Sequence, residues 1–116
     1  MDLLSSINDL NQMVLEGKAM EAFEKYYAEN CSMQENGQEP TVGKEANRKR
    51  EEEFFSKITE FRGAEVLNVA ANGNVTMVEW SFDYTHADWG ERKYNQVAVQ
   101  TWENGQIVEE KYYYGS

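Results

Sequence analysis

The sequence predicts an α+β domain, with helices in its first half and an antiparallel strand meander in its second. Two observations carry this. Apolar residues recur at three- and four-residue steps from Leu3 to Val14, the period of a helix with one buried face. Past residue 60, β-branched and aromatic residues alternate with polar ones, and Asn-Gly pairs at 72–73 and 104–105 punctuate the alternation as hairpin turns do.

The first helix carries Leu3, Leu4, Ile7, Leu10 and Val14, and Gly17 stops it as a C-terminal cap. A second, short helix lies in KAMEAFEKYYAEN (18–30), with Ala19, Ala22, Phe23 and Tyr26 on one side. A short strand follows in CSMQE (31–35), then a turn at Asn36-Gly37 and an extended piece ending near Pro40. Thr41 can cap a third helix from Val42 to Ile58, whose inner stripe is Ala46, Phe54, Phe55 and Ile58. Its RKREEE run (48–53) reads as a solvated face, because Arg48–Glu52 and Lys49–Glu53 are opposite charges four apart. The strands are 61–71, 75–86, 92–103 and 106–114, with a looser HADWGE turn between the middle two. The 116 residues make one domain, 1–116, without repeat, linker or low-complexity segment.

Composition excludes several classes. A net charge of −10 disfavours nucleic acid, whose binders need a basic face to displace counterions. No apolar run is long enough to span a membrane, and MDLLSSINDL lacks the basic region and cleavage site of a signal peptide, so the expected location is cytoplasmic. One cysteine, Cys31, and one histidine, His86, cannot make a standard zinc site, and no calcium-loop spacing occurs, so neither metal nor cofactor is expected. Cys31 reads as a buried, inert small hydrophobe.

Strand parity sorts side chains between faces. Val78, Trp80, Phe82 and Tyr84 form the more apolar face of their strand and should meet the helices. In 92–103, polarity leaves open whether Tyr94, Gln96, Ala98, Gln100 and Trp102 or Lys93, Asn95, Val97, Val99 and Thr101 face inward. In the last strand Val108, Glu110, Tyr112 and Tyr114 oppose Ile107, Glu109, Lys111 and Tyr113. In 31–35, Cys31, Met33 and Glu35 share one face, so an inward Met33 brings Glu35 to the edge of the interior.

This order of elements resembles the nuclear transport factor 2-like cone, in its SnoaL-like and steroid-isomerase-like branch. The resemblance is carried by FEKYYAENCSMQENGQEPTVGKEA (23–46) and VAVQTWENGQIVEEKYYY (97–114). It implies a cone of three N-terminal helices on a curved antiparallel sheet, with a small hairpin between helices 2 and 3. It places Tyr94, Gln96, Ala98 and Gln100 on the concave face with Glu110, Tyr112 and Tyr114. The implied pocket has aromatic walls (Trp80, Phe82, Tyr84, Tyr112, Tyr114) beside Met33, with Gln96, Gln100, Glu110 and Glu35 as polar groups, suited to a small apolar or aromatic molecule. The resemblance sets Glu35 where steroid isomerases keep their carboxylate base. It also sets Ala98 and Leu10 or Asn11 where they keep their oxyanion donors, and without those donors the usual steroid isomerisation is disfavoured.

Glu35 is therefore a candidate base, read against a solvent-facing acid beside a turn. Glu110 and His86 are weaker candidates. A strand acid such as Glu110 can simply be held by a Tyr hydroxyl, and the strand-end position of His86 favours the surface. Met77, Val97, Val99, Ile107 and Tyr113 are expected on the convex face, which no helix covers, and imply a homodimer through the sheet. Three function classes remain, in this order: a ligand-binding domain, an acid–base enzyme of isomerase, dehydratase or cyclase type, and a dimeric accessory module with no ligand.

Overall fold

The computed structural model describes residues 2–115. Three helices, α1 (Leu3–Leu15), α2 (Ala19–Tyr26) and α3 (Lys44–Ser56), pack on a sheet of β1 (Tyr27–Glu35), β2 (Thr41–Val42), β3 (Ile58–Asn72), β4 (Val75–His86), β5 (Gly90–Glu103) and β6 (Gln106–Tyr114). The spatial order is β2-β1-β6-β5-β4-β3. The predicted α+β cone is thus observed, with one refinement. Strand β1 runs parallel to β6, and every other pairing is antiparallel.

Local chemistry explains the ends of the elements. Asp2 caps α1 by accepting the Ser5 N–H at 2.8 Å. Residues 36–37 and 104–105 take positive φ throughout, at 46° and 72° for Asn36-Gly37 and 53° and 77° for Asn104-Gly105, as tight hairpin turns require. The third Asn-Gly pair behaves differently: Asn72 still pairs with Val75, so the loop is Gly73-Asn74.

Several expectations need correction. Tyr27 already begins β1, four residues before the expected start, because the chain leaves the helix to pair Tyr27 with Ile107. Thr41 caps nothing: Thr41 and Val42 pair with Met33 and Ser32, and α3 starts at Lys44 after Gly43. The inner stripe of α3 is Lys44, Asn47, Glu51 and Phe54, while Ala46 and Phe55 are exposed. Asn47 is fully buried there because its amide donates to the Thr41 and Gly43 carbonyls at 3.0 and 2.9 Å. Arg48 turns to Glu24 and Glu45 rather than to Glu52.

The last concerns Ile107. A β-bulge between Thr101 and Trp102 pairs Trp102 with Ile107 but Thr101 with Glu109, leaving Val108 unopposed. The extra residue reverses parity, so Ile107 and Trp102 both enter the core, 0% and 2% exposed. Ile107 therefore leaves the convex set.

The core joins α1 and α2 (Ile7, Leu10, Ala22, Phe23, Tyr26) to the concave face (Met33, Val78, Trp80, Ala98, Trp102, Ile107), and Cys31 is buried with them. Asp9 ties the two helices by accepting from Tyr26 Oη at 2.5 Å and Lys25 Nζ at 2.9 Å. No helix among the described residues is long and apolar enough to cross a membrane.

Candidate functional site

Between the helices and the concave face lies a cleft of about 1100 Å³. Strands β4, β5 and β6 supply its curved wall, because residues two apart on a strand share a face and Trp80, Phe82 and Tyr84 stand opposite Gln96, Tyr94 and Arg92. Trp80 stacks on Phe82 at 5.2 Å, Phe82 meets Tyr94 at 5.9 Å, and Tyr94 meets Tyr114 at 5.4 Å. Helix α3 closes the other side with Arg50, Glu51 and Phe54.

At the floor, six side chains form one buried relay. Trp102 Nε1 donates to Thr76 Oγ1 at 2.9 Å, and that hydroxyl donates to Gln100 Oε1 at 2.7 Å. Gln100 Nε2 donates to Glu110 Oε2 at 2.7 Å. The other oxygen of Glu110 accepts from Tyr112 Oη at 2.5 Å and also from Tyr27 Oη. Burial pushes the Glu110 carboxyl up, and these three donors oppose the shift by favouring the anion. Burial beside Glu110 also holds the Tyr27 and Tyr112 hydroxyls well above the usual phenol range.

Glu51 faces the same cleft from α3 with no hydrogen-bond partner among the described residues. Burial, and next the Glu110 carboxylate, push it up to about 7, against a smaller opposing pull from Arg50. The two acids are thus unequal: one is wrapped by donors, the other has none. That asymmetry sends the proton of the pair to Glu51.

Glu35 lies on the cleft wall opposite Tyr112. Arg50 forms an ion pair with one of its oxygens, and Tyr114 Oη donates to the other at 2.8 Å. Met33, Gln96, Ala98, Gln100, Tyr112 and Tyr114 line the cleft with it. Ala98 offers no donor, and Gln100 is committed to the relay.

His86 is not on the surface. It is 3% exposed, stacks on Trp89 at 3.7 Å and packs against Phe54 at 5.8 Å. The aromatic flanks of α3 and the 86–90 turn cover the strand end that would otherwise meet water. Its Nδ1 accepts the Asp88 N–H at 3.1 Å, which leaves the ring proton on Nε2 in the neutral form. No cluster of three or more His, Cys, Asp or Glu among the described residues is arranged to hold a metal ion.

The model of the SnoaL-like domain matches residues 5–114. The chain belongs to the SnoaL-like domain family. Among solved structures, this SnoaL-like chain is similar to a Mesorhizobium loti protein provisionally named a SnoaL-like polyketide cyclase. The two share 27% identity over 98% of this chain and 100% of the other, with a TM-score of 0.89. A Burkholderia xenovorans NTF2-like protein of unknown function matches at 20% identity, over 97% of this chain and 81% of its own, with a TM-score of 0.77. An epoxide hydrolase of Mycobacterium tuberculosis matches in fold at 12% identity, over 96% and 80% of the two chains, with a TM-score of 0.75. No curated protein matches the chain.

Two cleft residues of this SnoaL-like domain escape a reading by hydropathy. Glu51 sits inside a charge run that resembles a solvated face, yet stepping back from Phe54 by three and seven residues reaches Glu51 and Asn47 on the helix side that packs inward. Arg92 lies at a strand start beside polar residues, and only its parity with Tyr94 marks it as inward.

Proposed function

We propose that this SnoaL-like chain binds a small apolar or aromatic molecule inside its cone. The observation that carries the reading is the cleft itself, about 1100 Å³ of aromatic-walled space with a few converging polar groups, the usual makeup of a small-molecule site. A self-filled accessory module has no need of such a space. Met33, Trp80, Phe82, Tyr84, Tyr94, Ala98 and Tyr112 would contact the ligand skeleton, with Gln96 and Tyr114 as polar contacts. Native mass spectrometry of gently purified protein should reveal a co-purified small molecule released on denaturation. A bare chain that also fails to enhance the emission of hydrophobic fluorescent probes would overturn the reading.

The unequal carboxyls Glu51 and Glu110 favour a second reading, acid–base chemistry of isomerase, dehydratase or cyclase type. The provisional cyclase name of the Mesorhizobium loti relative leans the same way. In that reading the proton moves through Glu51 rather than Glu35, because both Glu35 oxygens are occupied by Arg50 and Tyr114. A carboxyl-carbon NMR titration should give Glu51 a midpoint near 7; a midpoint in the ordinary glutamate range removes it as the proton donor.

A homodimer through the convex face belongs to either reading. Met77, Val97 and Tyr113 are 41%, 36% and 48% exposed, and Val99 lies between Met77 and Lys111 in register. Light scattering at micromolar concentration should give twice the chain mass, and a monomer there sinks the proposal.

A further inference from the structure

Four cations line the cleft: Lys18, Arg50, Lys57 and Arg92. Three have acidic partners. Lys18 lies 3.9 Å from Glu16, Lys57 lies 2.6 Å from Asp88 and 3.3 Å from Glu53, and Arg50 pairs with Glu35. Arg92 has no carboxylate partner among the described residues, in a chain whose net charge is −10. Its Nε is buried with no hydrogen-bond acceptor, and its guanidinium lies 5.2 Å from the centre of the Tyr94 ring. A lone guanidinium held half-buried amid surplus acid is costly to keep unless something else completes it.

We propose that the ligand of the cone is an apolar or aromatic monocarboxylate, and that Arg92 takes its carboxylate. This rests on the reading of the cleft as a ligand site. A guanidinium presents a rigid fork of N–H donors that matches a carboxylate in two parallel hydrogen bonds. Stacking on Tyr94 limits the rotation of that fork, so little freedom is lost when the ligand arrives. Next to it the Tyr84 and Tyr94 hydroxyls share one hydrogen bond at 2.8 Å, so one of their two protons stays available for a further oxygen. Charge balance sets the valence. Arg92 is one unpaired positive charge, while seven acids line the same cleft, Glu35, Glu51 and Glu110 among them, so at most a single negative charge is complemented and a phosphate dianion is repelled. The skeleton of the acid then lies along Phe82 and Trp80, which continue the wall from Tyr94.

The test compares matched acids and amides, led by 2-naphthoate and 2-naphthamide within a panel of aromatic and alicyclic pairs, by isothermal titration calorimetry. The native protein should bind acids about tenfold or more tightly than their amides. Arg92→Met should lose that preference while keeping its affinity for the amide. Lys93→Met, on the opposite face of β5, should change neither. Arg92→Met should also melt no lower than the native protein, since no acidic partner is left behind, so a loss of binding is not a loss of fold. Equal binding of acid and amide, or an acid preference that survives in Arg92→Met, overturns the role of Arg92 and leaves the ligand site standing. Failure of every pair to bind overturns both.

Discussion

At the floor of the cone Glu110 accepts three hydrogen bonds and is 3% exposed, whereas on the walls Glu51 accepts none and Arg92 has no acidic partner. Both regions hold charged groups away from bulk water, and they meet the desolvation cost in opposite ways. The floor meets it internally, with Trp102, Thr76, Gln100, Tyr27 and Tyr112 arranged so that each donor finds an acceptor. The walls leave it open, one acid without a donor and with its carboxyl pushed up by burial, and one base lacking a counter-charge. A polar group completed by its own chain serves architecture; one left incomplete in a cleft is where a ligand can contribute free energy.

The largest effect should come from breaking the floor. Glu110→Ala strands the Tyr27 and Tyr112 hydroxyls and the Gln100 amide, all buried, and should cost on the order of 3–5 kcal/mol in urea-unfolding free energy. Glu110→Gln keeps a side-chain oxygen for the two hydroxyls and should cost clearly less. If Glu110→Ala costs no more than a surface substitution, the floor is not the self-sufficient network described and the contrast with the walls collapses.

The walls should answer to pH instead. The Glu51 carboxyl is pushed up to about 7 from an ordinary 4.5, so the folded state holds a proton that the unfolded chain releases. Native protein then binds more protons than unfolded protein between those values, and stability falls as pH rises from 4.5 through 7. Below 4.5 both states are protonated and the penalty is absent. Above 7 it is complete, on the order of 3 kcal/mol. Glu51→Gln should remove most of this slope and raise the melting temperature at pH 8 while changing little at pH 4. An unchanged slope would mean that Glu51 is solvated and that the asymmetry of the acid pair is absent.

The two regions also differ in how far the sequence reveals them. The aromatic wall follows from period-two alternation, and Val78, Trp80 and Tyr84 are buried where parity puts them. The turns at 36–37 and 104–105 follow from positive-φ chemistry. Parity failed at Ile107, because a bulge inserts a residue that no local composition announces. It failed more instructively on α3, where a stripe sought among apolar residues missed Lys44, Asn47 and Glu51. Hydropathy locates packed faces, and a helix that caps a polar cleft turns polar residues inward. Glu110 was legible as a strand acid near tyrosines, but its three partners come from β1, β5 and β6, and only the folded chain brings them together.

Asn11 gives the smallest and most discriminating test of the contrast. It is 4% exposed on α1, it lines the cleft, and neither its amide nitrogen nor its oxygen has a hydrogen-bond partner among the described residues. In the native chain that amide carries a desolvation cost with no compensation. Asn11→Leu keeps the branched shape, places its added bulk against the cleft, removes both orphaned atoms and improves helix propensity by a few tenths of a kcal/mol, so it should stabilise the fold by about 1–2 kcal/mol in thermal or urea unfolding. The same substitution on the floor, at Gln100, should destabilise, since it breaks bonds to Thr76 and Glu110 at once. Opposite signs from one kind of change, amide to leucine at two buried sites, would separate a wall that leaves polar groups incomplete from a floor that completes them. If both substitutions destabilise, the Asn11 amide is engaged within the fold and α1 belongs with the floor.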